Sequence, residues 1–345
     1  QLSVMGERPF RFVYFGGGTP SYLSVRQLES LVGRLRQSID WNLAEVTFEC
    51  EPGTLKESKV RALKDLGVTR LSLGVENFSD EVLKENGRAH LTAEIDQAWT
   101  WIQDADFHNV NIDLIAGMVG ETQENWEYNI RRAIELSPDS VTIYQLELPY
   151  NTVYSNDILG NQVEIPVADW PTKRDWVSYA FDEFLKAGYH VNSAYTVVKD
   201  PEKVNFSYRD NLWHGSDLLA TGIASFGHVS GVHYQNKPEW DDYVGDLLER
   251  NELPLGRAFE PTSYQLLIRE MILQLKKGRI SANYFQEKFD VDILQEWSEV
   301  WGQYSDDGFV EIDGREIRLT RGGLLRADGL LPAFFESHHQ GVRYT

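Results

Sequence analysis

With 345 residues, 33 basic and 53 acidic side chains and a formal charge of −20, the chain can bury a large core, and its surface repels polyanions. Nucleic acid and anionic lipid are excluded as principal partners. No run approaches the roughly eighteen apolar residues of a membrane span, Gln1–Pro9 lacks the features of a signal peptide, and the single cysteine, Cys50, suits a reducing compartment, so a cytoplasmic protein is expected.

The chain starts without methionine and enters a strand almost at once, as expected of a fragment. Phe10–Phe15 reads as a strand, Val25–Ile39 as a helix, Glu45–Glu49 as a strand, Glu57–Asp65 as a helix and Thr69–Gly74 as a strand. Glu81–Asn86 and Thr92–Asp104 read as helices, Val110–Ile115 as a strand, Thr122–Glu135 as a helix and Ser140–Leu146 as a strand. Leu28, Leu31, Val32 and Leu35 share one helix face, as do Trp126, Ile130, Ala133 and Ile134. Strands joined by crossover helices close right-handed, so this half describes most of a β/α barrel whose strand C-termini share one mouth.

Farther on, Trp170–Ala187 reads as an amphipathic helix, and His190–Val198 and Ile223–Tyr234 as β segments. His228 and His233, five apart, do not share a face of one strand, which argues against a two-histidine metal site. Ser263–Lys276, Ile280–Phe289 and Val291–Tyr304 read as helices, and Phe309–Ile312 with Ile317–Leu319 as a hairpin turning at Asp313-Gly314. The expected division is a barrel over residues 1–190, a β-rich extension over 191–255 and a helical, winged-helix-like unit over 256–345.

Gly16-Gly17-Gly18-Thr19-Pro20 ends the first strand in a turn of bare backbone, where peptide groups can approach a small ligand. It is no P-loop, because no Gly-Lys-Ser/Thr follows, and no dinucleotide fingerprint, because position 21 is Ser. The glycines alone leave a tight structural turn and a ligand site both open. Glu49, Glu76 and Asp113 stand at or near strand ends, and Arg88 follows a short helix. Singly, each carboxylate reads as a helix cap and Arg88 as a surface partner of Glu85. Ile112 and Leu114 flank Asp113 and face helices, so alternation turns Asp113 into the barrel. Convergence on one mouth points to a ligand with an amine, a carboxylate and hydroxyls.

These residues resemble a known family. Val13–Pro20, Glu49-Cys50-Glu51-Pro52-Gly53-Thr54, Arg70–Phe78, Gly87-Arg88-Ala89-His90 and Asn111–Gly117, in this order and spacing, resemble the oxygen-independent coproporphyrinogen III oxidase-like branch of the radical S-adenosylmethionine (SAM) enzymes. Trp213–Gly222 and Leu319–Gly323 extend the similarity to nearly the whole chain. The resemblance implies a partial (β/α)6 radical SAM barrel lacking its first strand here, with S-adenosyl-L-methionine and a [4Fe–4S] cluster as cofactors. It places the methionine end of SAM on Gly16, Gly17, Gly18 and Thr19, the ribose and amino group near Glu49 and Asp113, and the carboxylate on Arg88. Glu76 stands where the family usually has Gln, and repulsion from Glu49 would leave it protonated or turned to another partner.

The family's Cys-x-x-x-Cys-x-x-Cys cluster motif is absent from the chain, and Cys50 reads as a small buried apolar residue. The cluster cysteines are expected upstream of Gln1, since a sheet without its first strand leaves an open edge; the other reading is a descendant that has lost redox chemistry. The resemblance implies a 5′-deoxyadenosyl radical acting on a tetrapyrrole or similar conjugated substrate, with a flavodoxin or ferredoxin as electron donor. The alternatives are a heme chaperone or carrier, a radical SAM methyltransferase or cyclopropanase-like enzyme, and a barrel that binds neither cofactor nor heme. Tyr208-Arg209-Asp210-Asn211-Leu212-Trp213 departs from the chaperone branch's His-Asn-x-x-Tyr-Trp at His, Asn and Tyr. Arg209, Arg321 and Arg343 are candidates for substrate propionates or, equally, solvated surface charges.

Overall fold

Alternation of polar and apolar residues along the first strands decides how the chain packs, and the computed structural model, which describes residues 2–147 and 167–339, shows the outcome. Strands β1 (Phe12–Phe15), β2 (Glu45–Cys50), β3 (Arg70–Glu76), β4 (Asn109–Ala116) and β5 (Ser140–Gln145) pair in chain order, all parallel. Helices α1 (Val25–Ser38), α2 (Glu57–Asp65), α3 (Asp80–Glu85), α4 (Thr92–Ala105) and α5 (Gln123–Leu136) connect them. Val46, Phe48, Leu71, Leu73, Ile112 and Leu114 are buried in the main core. Their alternates Thr47, Glu49, Ser72, Asn111 and Asp113 line the concave side.

After α6 (Trp170–Lys186) the sheet reverses direction. His190–Val198 is a tight hairpin rather than a continuous β segment: β6 (His190–Val191) and β7 (Thr196–Val198) run antiparallel, and β7 pairs antiparallel with β5. A connection of a few residues permits only reversal, since a parallel return needs a crossover. The described residues thus form a seven-stranded sheet in the order β1-β2-β3-β4-β5-β7-β6. A helix not read from the sequence, α7 (Ser207–Trp213), lies against β1, with Tyr208 stacked on Tyr14 at 4.4 Å and edge-on to Phe12 at 5.3 Å.

Three further strands, β8 (Phe226–Val229), β9 (Val232–Asn236) and β10 (Leu255–Phe259), make a meander. β10 carried no recognisable sequence signal. Helix α8 (Trp240–Gly245) leads to it, and α9 (Ser263–Leu275) leaves it. Two helical readings need correction. Ile280 lies in a strand, β11 (Arg279–Ser281), before α10 (Ala282–Phe289). Val291–Tyr304 is two helices, α11 (Ile293–Glu296) and α12 (Ser298–Asp306), broken at Trp297, whose ring packs edge-on against Phe334. The expected hairpin forms β12 (Val310–Asp313) and β13 (Glu316–Leu319), which joins β11 in a three-stranded sheet with its own core. Arg343 lies outside the described residues.

One buried carboxylate fixes the loops at the barrel mouth. Glu121 Oε2 accepts from Gly117 N at 2.7 Å and Met118 N at 3.2 Å, and its Oε1 from Asn77 Nδ2 at 2.8 Å and Asn129 Nδ2 at 3.0 Å. Gly117 has φ +89°, and a Cβ there would lie 2.6 Å from Lys173 Cε, so only glycine fits. Glu121→Ala strands these donors in a buried site, and a loss of about 3 kcal/mol in urea unfolding is expected; Glu121→Gln, which keeps an acceptor, loses less.

Candidate functional site at the barrel mouth

The glycine turn is shaped by what approaches it. A Cβ on Gly16 would lie 2.7 Å from Glu49 Oε2 and collide with the Tyr14 ring, so a side chain there displaces both. Gly17 and Gly18 adopt φ of +76° and +115°, and a Cβ at either would meet nothing within 4 Å. Gly17 N donates to Glu49 Oε2 at 3.2 Å, and the Tyr14 hydroxyl donates to Oε1 of the same carboxylate. Burial, with Glu49 adding to it, raises the Tyr14 phenol far above its ordinary value, so it stays a donor. Buried Ser21 anchors the turn to the end of β2, where its Oγ accepts from Glu51 N at 3.0 Å.

At the end of β3 the backbone is strained. Glu76 has φ +65° and lies at a register shift against β4, where Gly74 faces Asp113 and Glu76 faces Leu114. A non-glycine residue in this conformation stores strain of order 1–3 kcal/mol. Its carboxylate forms an ion pair with Arg88, yet Glu76 Oε2 and Arg88 Nε are buried and make no aligned hydrogen bond among the described residues. Burial raises the Glu76 carboxyl to about 7; Arg88 opposes this, while Glu51 and Asp113 add to it. The expected conflict was with Glu49. The partner foreseen in general terms for Glu76 is Arg88.

Asp113 accepts from Ser72 Oγ at 2.8 Å and Asn111 Nδ2 at 3.0 Å. Burial raises it to about 6, against those hydrogen bonds. Glu51 is the partner of His90, with Oε1 2.6 Å from Nδ1, while Nε2 lies 3.2 Å from the Val75 carbonyl. The His90 bond holds Glu51 below the usual carboxylate range. Burial lowers His90, but Glu51 and Val75 more than offset it, so the ring is raised above its ordinary value.

Gly18, Thr19, Glu49, Glu76 and Asp113 line one cavity of about 250 Å³. Gly17 joins them through Glu49, and Arg88 through Glu76; Gly16 faces a neighbouring cavity beside β1. Glu49, Ser72, Asp113 and Tyr144 also border a larger cavity of about 500 Å³ that runs down the barrel to Arg70, Tyr208 and Arg209. Tyr14, Ser72, Asn111 and Tyr144 were missed from the sequence, although their place among the inward positions of the strands could have identified them.

Other candidates fall elsewhere. Arg321 pairs with Asp182 at 3.2 Å and stacks over Phe181. His228 and His233 do share a face, contrary to the sequence reading, because they stand directly opposite across β8 and β9 with ring centroids 6.0 Å apart. Burial, with Arg269 adding to it, pushes both below the ordinary histidine value, and that guanidinium opposes a cation there. Cys50 is buried in the main core, and burial raises its thiol well above the ordinary value.

Comparisons with known proteins agree with this architecture. Residues 2–133 match the Radical SAM superfamily. The chain is similar to the heme chaperone HemW of Lactococcus lactis, 28% identical over 331 residues, covering 94% of this chain and 84% of that protein. It is also similar to the oxygen-independent coproporphyrinogen III oxidase of Escherichia coli, 25% identical and covering 91% of this chain and 71% of the relative. The solved structure of coproporphyrinogen III oxidase (HemN) from Escherichia coli superposes with a TM-score of 0.79 over 95% of this chain and 78% of that one, at 21% identity. The α/β fold is therefore that of the oxidase. No helix among the described residues is long and apolar enough to cross a membrane.

Since the Glu76 carboxyl titrates near 7 when folded and near 4.5 when unfolded, the folded state binds the extra proton between those values. Its stabilising contribution is complete below about pH 4.5 and is lost as pH rises through about 7. Urea unfolding of wild type and Glu76→Gln across this range is expected to give a difference that declines with rising pH; a flat difference refutes the assignment.

Proposed function

From a radical SAM domain in a chain related both to coproporphyrinogen III oxidases and to heme chaperones, we propose an enzyme that binds SAM at the barrel mouth and acts on a tetrapyrrole-like conjugated substrate in the adjoining lumen. One observation carries the reading: Gly18, Thr19, Glu49, Glu76 and Asp113 line one mouth cavity beside the Glu76–Arg88 ion pair, and Glu49, Ser72, Asp113 and Tyr144 of that cavity also line the larger lumen.

Radical SAM proteins bind SAM and a [4Fe–4S] cluster. The mouth fits SAM. Arg88 would take the carboxylate, Glu76 the ammonium, and Glu49 and Asp113 the ribose hydroxyls, with the bare Gly17–Gly18 backbone beside the methionine end. SAM bound there would be the source of a 5′-deoxyadenosyl group, whose release as a radical would need an electron from a [4Fe–4S] cluster. Glu76 is the group best placed to answer a cation, because a bound ammonium would draw its raised pKa down and leave it ionised. Tyr14 keeps Glu49 oriented, and Asn111 with Ser72 keeps Asp113 oriented. A cluster does not fit the residues present: the chain has one cysteine, buried in the core, and three thiolates are required.

The second reading, a heme carrier, is favoured by the chaperone relatives. The position of the chaperone histidine is Tyr208, whose ring is committed to Tyr14. Calorimetry with SAM separates the readings. Wild type is expected to bind it, with Arg88→Met weakening binding by about tenfold or more and Gly17→Val abolishing it. Equal binding by wild type and both variants, or stoichiometric heme uptake without SAM binding, rejects the proposal.

A further inference from the structure

At the end of the lumen away from the mouth, two arginines are incompletely satisfied. Arg70, at the start of β3, is 3% exposed; its Nη2 donates to the Asn205 carbonyl at 2.6 Å, and its Nε lies 3.5 Å from Glu45 Oε1. That carboxylate is already engaged, accepting from Thr47 Oγ1 at 2.7 Å and from Ser207 N at 2.6 Å. Arg209, on α7, donates from Nε to Asp210 at 2.9 Å and from Nη2 to Asn192 at 2.8 Å. Asp210 is shared in turn with Lys277 at 3.1 Å. The Nη1 of each arginine is buried with no hydrogen-bond partner among the described residues.

Both guanidiniums lie over the Phe206 ring, 4.1 and 4.3 Å from its centroid, and both arginines line the lumen cavity. An unsatisfied buried donor costs about 1–3 kcal/mol, more when charged, and a planar carboxylate matches the guanidinium fork. Arg70 lies four residues before Gly74 on β3, about 13 Å at the usual strand rise, so a molecule spanning both ends must be elongated.

We propose that the floor of the lumen between Arg70 and Arg209 is a carboxylate-binding subsite that receives the acidic arm of an elongated substrate whose reacting end lies at the mouth. The inference rests on the tetrapyrrole-like substrate proposed above and adds the point at which that substrate is anchored. Arg209 stands where the chaperone pattern has Asn, so the anchor belongs to this chain's own departure from that pattern.

The test uses the full chain. Coproporphyrin III and its tetramethyl ester are titrated against wild type, Arg209→Gln and Arg209→Lys by tryptophan fluorescence. Wild type is expected to prefer the acid by about tenfold or more, Arg209→Gln to lose that preference while binding the ester unchanged, and Arg209→Lys to retain part of it. An unchanged preference in Arg209→Gln overturns the subsite, including when that variant is merely less stable. If wild type binds neither porphyrin, the tetrapyrrole reading falls, and sodium propionate decides the subsite separately. Saturable thermal stabilisation of wild type over sodium chloride at equal ionic strength, absent in Arg209→Gln, upholds it. The same response in both proteins, or in neither, overturns it.

Discussion

Everything in this molecule follows from a parallel sheet that is apolar on its helix-facing side and polar on its concave side. Strands buried on both faces usually read as continuous apolar runs. Here every second residue is polar, and the energy that holds the sheet comes from the other half, packed under helices in the main core. The inward groups must then satisfy one another. Asn111 does much of this: its amide nitrogen donates to Ser72 and Asp113, and its oxygen accepts from Ser140 and Thr142, tying three adjacent strands together from inside.

Where that mutual satisfaction is incomplete, buried charged groups are left without well-aligned hydrogen bonds among the described residues. Two such places occur along the lumen, one at each end. At the mouth, a strained Glu76 and Arg88 meet in poor alignment beside a turn of bare backbone; at the floor, Arg70 and Arg209 share one aromatic ring. Between them the wall is neutral or weakly acidic and carries tyrosines whose raised pKa values keep them protonated donors. This polarity suits a long molecule with unlike ends better than a compact one.

The second half of the chain supplies the rest of the chamber wall. Tyr195, Thr196, Tyr208, Trp213, Lys276 and Asp328 complete the lumen wall, so the chamber is closed by residues remote in sequence from the mouth. The reversal of the sheet at β7 and the packing of α7 on β1 bring them there.

The first half of the fold was legible because each strand and helix carries its own periodicity, and the mouth because Gly17, Glu49 and Asp113 fall at or near the carboxyl ends of strands, with Arg88 in the connection after β3, and crossover connections must gather these on one side. What failed was whatever depends on partners distant along the chain. Alternation could set His228 and His233 on different faces of one strand but could not foresee that a turn would lay them opposite each other. Nor could it show that Glu51 would find His90, or that Arg209 would join Arg70. Local pattern thus determined the elements, their inward and outward faces and the composition of the mouth, because period and backbone freedom act over a few residues. Tertiary structure alone decided which charges pair, which remain unsatisfied and how deep the chamber runs, because those depend on distances across the sheet that spacing in sequence does not encode.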